Sequence, residues 1–325
     1  MSAPRPDPEP GARERATVRV TEFTDPACPW AWGTEPSCRL LRQTLGARCH
    51  WRQVFGILFD EDDDPAPDPD AEARWYEGFI REVTVHTGAP RPHRLHRLTR
   101  SSWPASLAAK AALSQGDRVA GRVLRRLRES TFVLGAPADS PGGVLRTVSG
   151  VPGLDPERLL RDLASPAARE AVRADWAETR APLPEVLGLE GPGPHPGRAK
   201  ELETGRRYAL PTLLFEGPGG RVCVPGWRPP EVYLDAAARA AGGPLPQPVT
   251  LAPDAALERW RTLTVPELRL LTGAVAPPPS GVRVDTGNGP LWAHPEEARH
   301  CLRDLAVPFG AELDDESAGE RGLGQ

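Results

Sequence analysis

Lysine is nearly missing from this chain. Of its 40 basic residues only Lys110 and Lys200 are not arginine, which reads as a codon bias toward GC-rich DNA rather than a functional signal. A large charge of either sign is missing too: the net charge of −4 gives no bulk electrostatic reason to bind nucleic acid or an anionic membrane. No segment approaches the ~20 apolar residues that span a bilayer. The opening MSAPRPDPEPGARERA lacks the apolar run of a signal peptide. The expected location is therefore cytoplasmic, with no membrane and no nucleic-acid partner. Five cysteines (Cys28, Cys38, Cys49, Cys223, Cys301) are odd in number and widely spaced, with no paired metal-ligand spacing. That excludes a disulfide framework and a zinc site and leaves free thiols, with no metal and no cofactor expected.

What the chain does have is proline and glycine, 39 and 32 residues. With 39% hydrophobic residues, this fits ordered elements joined by long polar connections. Residues 1–16 and 311–325 read as disordered tails. Residues 17–24 (TVRVTEFT) alternate like a strand, and Asp25-Pro26 breaks it. A helix then starts with Cys28 at or next to its N-cap and Pro29 in the first helical position, and residues 49–57 return to strand character. This is a β-α-β unit with a thiol at the strand-to-helix junction. Residues 60–70 carry seven acids and three prolines and are expected to be an exposed loop. From 71 to about 185 the periodicity is helical; Asp155-Pro156 and Ser165-Pro166 each place a capping residue before a proline. After a Gly/Pro loop, residues 208–224 read as a β-hairpin and Pro229-Pro230-Glu231 opens a helix to Ala241.

The boundaries implied are a divided α/β domain over 17–57 and 201–241, an inserted helical domain over 58–200, a linker over 242–253 and a small unit over 254–310. That last unit reads as two helices and a hairpin around Asn288-Gly289, the order of a winged helix. Residues 249–325 hold seven arginines, no lysine and twelve acids, the wrong sign for phosphate contact, so packing or a protein partner is expected there instead.

A thiol attacks as thiolate, and unpaired N–H groups at a helix N-terminus stabilise that form. Cys28 stands at such a terminus, whereas Cys38 lies roughly 15 Å further along the same helix, too far to pair with it. Trp30 and Trp32, aromatic residues just after the thiol, suit substrate contact, or equally the core for at least one of them, Trp32 before Trp30. His86, His93 and His96 sit among arginines, which oppose a metal cation; a solvated face is expected for them.

The CPWA of residues 28–31, following a strand and an acidic-Pro turn, resembles the Cys-Pro-Trp-Cys site of the DsbA-like branch of the thioredoxin superfamily, above all its FrnE-type members. Residues 103–115 and 125–135 resemble that branch's inserted helical domain, and 208–228 its second half. The resemblance covers residues 17–241 and implies an α/β thioredoxin fold with a large all-helical insertion, extended here by a small C-terminal helix-helix-hairpin appendage. It further implies that Pro211 is a cis-proline facing a low-pKa nucleophilic Cys28. Pro29, Trp30, Trp32, Leu210 and Thr212 would then line the substrate groove.

Ala31 departs from the pattern, standing where the resolving cysteine would be. A dithiol oxidase is thereby disfavoured. One nucleophilic cysteine forming mixed disulfides is the expectation, as a monothiol reductase or isomerase-like protein using protein or small-molecule thiols, with a low-molecular-weight thiol as co-substrate. Two alternatives stand beside it: a non-catalytic adaptor resembling YjbH, and a glutathione-dependent isomerase or transferase of the kappa type, whose members usually carry serine at this position.

Overall fold

The computed structural model describes residues 18–61, 67–191 and 193–301; both tails lie outside the described residues, as does the middle of the acidic stretch. Four strands form the main sheet in the order β2-β1-β5-β6. At its centre, β1 (Val18–Thr24) runs parallel to β2 (Cys49–Phe55), with Val18 opposite Cys49 and Thr24 opposite Phe55. Parallel strands need a crossover, and α1 (Pro29–Leu45) supplies it. Strands β5 (Thr212–Gly217) and β6 (Gly220–Pro225) continue the sheet antiparallel, Phe23 facing Thr212 and Leu213 facing Val224. The hairpin strand thus begins after Pro211; residues 208–211 are not strand.

The sheet is covered on both faces, so β1 is buried at every position except Arg19. Val18 and Val20 pack with Leu41 and Leu45 of α1 and with Tyr233 and Ala237 of α8 (Pro230–Ala241). Phe23, out of phase with those valines, stacks on Tyr208 with ring centroids 4.1 Å apart.

Between β2 and β5 stand α2 (Pro69–Thr87), α3 (Trp103–Ala111), α4 (Asp117–Phe132), α5 (Pro141–Val148), α6 (Pro156–Leu163) and α7 (Pro166–Thr179), followed by a two-stranded ribbon, β3 (Lys200–Glu201) with β4 (Arg206–Arg207). Four of these helices start alike. Asp68, Ser140, Asp155 and Ser165 each precede a proline, and their side chains accept the N–H of Ala71, Gly143, Arg158 and Ala168. A core of Val123, Leu124, Leu127, Ala108, Val144 and Leu159 holds them together. The acidic stretch is not loose throughout: Asp60 accepts the indole N–H of Trp103 at 2.8 Å and of Trp176 at 3.0 Å. The expectation of an exposed loop is corrected at its first residue by these two bonds.

The C-terminal elements are α9 (Pro253–Trp260), β7 (Thr262–Thr264), α10 (Val265–Thr272), β8 (Val282–Val284), β9 (Leu291–Ala293) and α11 (Pro295–Cys301), with a three-stranded sheet in the order β7-β9-β8. They are not a freestanding module. Leu40 of α1 joins Leu257, Leu263, Leu268 and Leu271 in one core. Glu267 closes a capping box on Thr264 and also receives the Arg125 guanidinium of α4 through two bonds, 2.8 and 3.0 Å.

Candidate functional site

Cys28 is the N-cap residue of α1, in extended backbone, and its Sγ accepts the N–H of Ala31 at 3.4 Å. Pro29 follows in the first turn, where its missing N–H costs nothing. The Leu210–Pro211 peptide is cis, and the Cys28 thiol donates to the Leu210 carbonyl at 3.4 Å. The register of β1 against β5 makes this meeting unavoidable. Phe23 faces Thr212, so the ends of both strands, Cys28 beyond one and Leu210 before the other, converge at the same edge. Thr212 is fully buried and turns its hydroxyl back to the Ala209 carbonyl at 2.7 Å.

The sulfur is shut in. Cys28 is 3% exposed, and burial pushes its thiol up to about 11, with Asp25 adding to the rise; the Ala31 N–H and Arg207 oppose it. This burial opposes the low-pKa nucleophile expected from the helix terminus. N–H groups and dipole stabilise a thiolate, but removing it from water costs more in this enclosure.

Asp25, whose place before Pro26 marks only the end of a strand in the sequence, is fully buried beside the thiol. It accepts N–H groups from Ala27 (2.8 Å) and Leu58 (2.9 Å) and the Ser102 hydroxyl (3.0 Å). Burial raises its carboxyl above the ordinary range. Arg207, lowered by its own burial, is the nearby cation. Tyr76 donates to the Ala27 carbonyl at 2.5 Å, tying α2 to the turn that carries the cysteine. Asp-Pro before the cysteine was a usable signal for Asp25; nothing local marked Tyr76 or Arg207.

The two tryptophans part company. Trp30 roofs the site at 7% exposure, its ring edge-on to His195 (5.0 Å) and beside His86 (6.1 Å) and Trp227 (6.3 Å). Burial lowers His195 to about 4. Trp32, 2% exposed, points the other way: its indole donates to the Pro90 carbonyl at 2.8 Å, Phe132 stacks on it, and the Arg125 guanidinium lies 4.4 Å from its centroid. Its place is in the core between α1 and α4, the core alternative of the two open to it, and not the substrate groove that the resemblance implies for it.

The other described thiols stay outside the site. Cys38 faces the α1–α8 core, and burial pushes Cys49 and Cys223 up to about 11 and 12. Among the described residues no group of three or more metal-ligating side chains occurs, and no helix is long and apolar enough to cross a membrane.

Comparison with known proteins agrees with this architecture. A family model described as Thioredoxin matches residues 22–181, about half the chain. A ClpXP adapter protein SpxH from Shouchella clausii is 27% identical over 50% of this chain and 53% of its own length. The protein of the same name from Halalkalibacterium halodurans is 30% identical over 52% and 56%. The chain spans about half the length of the curated relatives it matches. A crystal structure from Nitrosomonas europaea, provisionally described as a protein disulfide isomerase, superposes with a TM-score of 0.52 at 16% identity, covering 68% of this chain and 95% of that one. With the β-α-β unit, the helical insertion and the β5–β6 hairpin in that order, the chain has a thioredoxin fold with a helical insertion.

Proposed function

We propose that the chain is a protein-binding, adaptor-like member of this fold, cytoplasmic, in which Cys28 is a protonated structural thiol. The observation that carries this reading is the enclosure of the sulfur. It is held between the Leu210 carbonyl and the Ala31 N–H, pushed up to about 11, with no cysteine at position 31 to resolve a mixed disulfide. The likeness to the SpxH adapters supports it, and ClpXP follows as the first partner to test. Trp75, 65% exposed on α2 and stacked on Phe79, is the type of side chain that anchors protein contacts.

Two measurements test this. Alkylation of Cys28 against pH, followed on its own peptide by mass spectrometry, should give an apparent pKa well above the roughly 8.5 of a free thiol; a value at or below that overturns the reading. Binding to immobilised ClpXP should be equal for the native chain and Cys28→Ala, and a requirement for the sulfur would defeat it.

A second reading is favoured by the helix-cap position of Cys28 opposite Pro211. As a monothiol exchanger, Cys28 as thiolate would attack a disulfide, bond to one sulfur and expel the other as a thiolate. A low-molecular-weight thiolate such as that of glutathione would then attack the mixed disulfide, bond to the substrate sulfur and return Cys28 as thiolate. Glutathione-dependent turnover of a small disulfide, lost in Cys28→Ala, distinguishes it. Glutathione-dependent isomerisation without disulfide turnover would instead indicate the kappa-type chemistry.

A further inference from the structure

Outside the Cys28 site, a cavity of about 420 Å³ lies between α1, α4 and the C-terminal elements. That is the size of a small-molecule site, and Cys28 does not line it. Eight arginines line it against four carboxylates. Three of those carboxylates are already engaged: Glu297 by Arg126 and Arg261, Glu129 by Arg125, and Glu35 by Arg128 and Arg39. The fourth, Asp117, is exposed in the first turn of α4, where the helix dipole favours it.

Positive charge is therefore left over. Arg118 and Arg259 have no ion pair among the described residues. Arg122 gives one N–H to the Pro152 carbonyl at 3.1 Å while its Nε has no acceptor, and Arg126 keeps one buried N–H unpaired. The excess is felt by the arginines themselves: burial and neighbouring guanidinium groups lower Arg39 to about 10 and lower Arg122. Two flat rings complete the walls. Arg42 lies 4.3 Å over Trp51, and Trp260 lies between Arg39 and Arg259 at 5.0 and 5.1 Å, its indole N–H unpaired.

Several guanidinium forks around one space match the oxygens of a phosphate, and arginine-backed indoles match a planar ring. We propose that this cavity binds a phosphorylated small molecule bearing a flat ring, of the mononucleotide class. The phosphate sits toward Arg118, Arg122 and Arg259, and the ring against Trp260.

The test uses the full chain in calorimetry at fixed ionic strength, with AMP, ATP and inorganic phosphate as probes. The control is the double variant Arg118→Glu/Arg259→Glu, both positions being exposed and unpaired. One-to-one binding of AMP or ATP is expected, at least tenfold tighter than inorganic phosphate, and weakened at least tenfold in the variant, whose melting temperature without ligand should match the parent. Trp260 emission should change on binding, and Trp260→Leu should abolish that change. No saturable binding of any probe at millimolar concentration overturns the proposal, as does unchanged binding in the variant. Equal affinity for inorganic phosphate and nucleotides overturns the ring assignment.

Discussion

Arg128→Met should be among the most damaging substitutions in the chain. Arg128 is 1% exposed and its guanidinium joins three elements: Nη1 reaches Glu35 of α1, and Nη2 donates to Glu22 at 3.1 Å and Thr24 at 2.6 Å, both on β1. Methionine keeps the packing volume of the stem and removes the charge. Glu22 retains the indole N–H of Trp51 at 2.9 Å and Arg42 at 3.7 Å; Glu35 is left with Arg39 at 3.7 Å. Removing one partner of a buried pair costs roughly 3–5 kcal/mol, because the remaining charge stays out of water. With a urea slope near 3 kcal/mol/M, the midpoint should fall by about 1–2 M. Acid adds a second signature. Arg128 and Arg39 hold Glu35 at about 2, below its usual 4.5. A depressed carboxyl stabilises the fold fully above about 4.5 and loses that contribution as pH falls toward 2, on the order of 3 kcal/mol in all. In the variant Glu35 titrates higher, so acid unfolding should begin at higher pH. Adding Glu35→Gln should recover part of the loss. A urea midpoint within about 0.3 M of the parent, under 1 kcal/mol at that slope, would refute a buried-charge penalty at Arg128.

Gly33→Ala normally gains about 1 kcal/mol in a helix, yet here the new methyl would lie 2.4 Å from Cγ2 of Thr87, so chemical denaturation should show a loss of about 1–3 kcal/mol. His195 is held neutral at about 4 against an ordinary 6.5, so its contribution is whole above 6.5 and is lost as pH falls toward 4. Hydrogen exchange over residues 186–199 should accelerate across that window, and a flat profile from pH 7 to 5 would count against it. Ala31→Cys places a thiol where the Cys28 sulfur already meets the backbone N–H. It should create a dithiol that closes in glutathione buffers, read as a 2 Da mass loss; a pair that never oxidises would mean the enclosure forbids the geometry. Cys28→Ser keeps an N-cap acceptor and should change stability by about 1 kcal/mol or less.

The fold was legible where local chemistry and tertiary structure agree. Alternation in residues 17–24, the Asp-Pro turn, capping residues before prolines and the Asn288-Gly289 turn each name an element that forms. The Cys28–Leu210 meeting was reachable only through the family resemblance, since 182 residues separate the two atoms that touch. Burial was not legible. Arg125, Arg126 and Arg128 sit in a stretch that reads as a solvated basic face, yet all three are buried because Glu22, Glu35, Glu267 and Glu297 reach them from elsewhere in the chain. The surplus of acids after residue 249 is part of the same arrangement: it reads as a surface for a partner, yet Glu258, Glu267, Asp285, Glu296 and Glu297 each pair with this chain's own arginines. The raised thiol was hidden for a related reason, because a helix N-terminus is visible in sequence and the lid of Trp30, His195 and Trp227 is not.

The long separation between Cys28 and the carbonyl that covers it has a consequence during synthesis. At about 5–20 residues per second, a ribosome needs roughly 10–40 s to pass from Cys28 to Leu210. For that interval the nascent thiol has no β5 edge, no Leu210 carbonyl and no His195 above it, and it titrates as an ordinary cysteine open to oxidants. A thiol that is inert in the finished protein thus passes through a brief period of ordinary reactivity each time the chain is made.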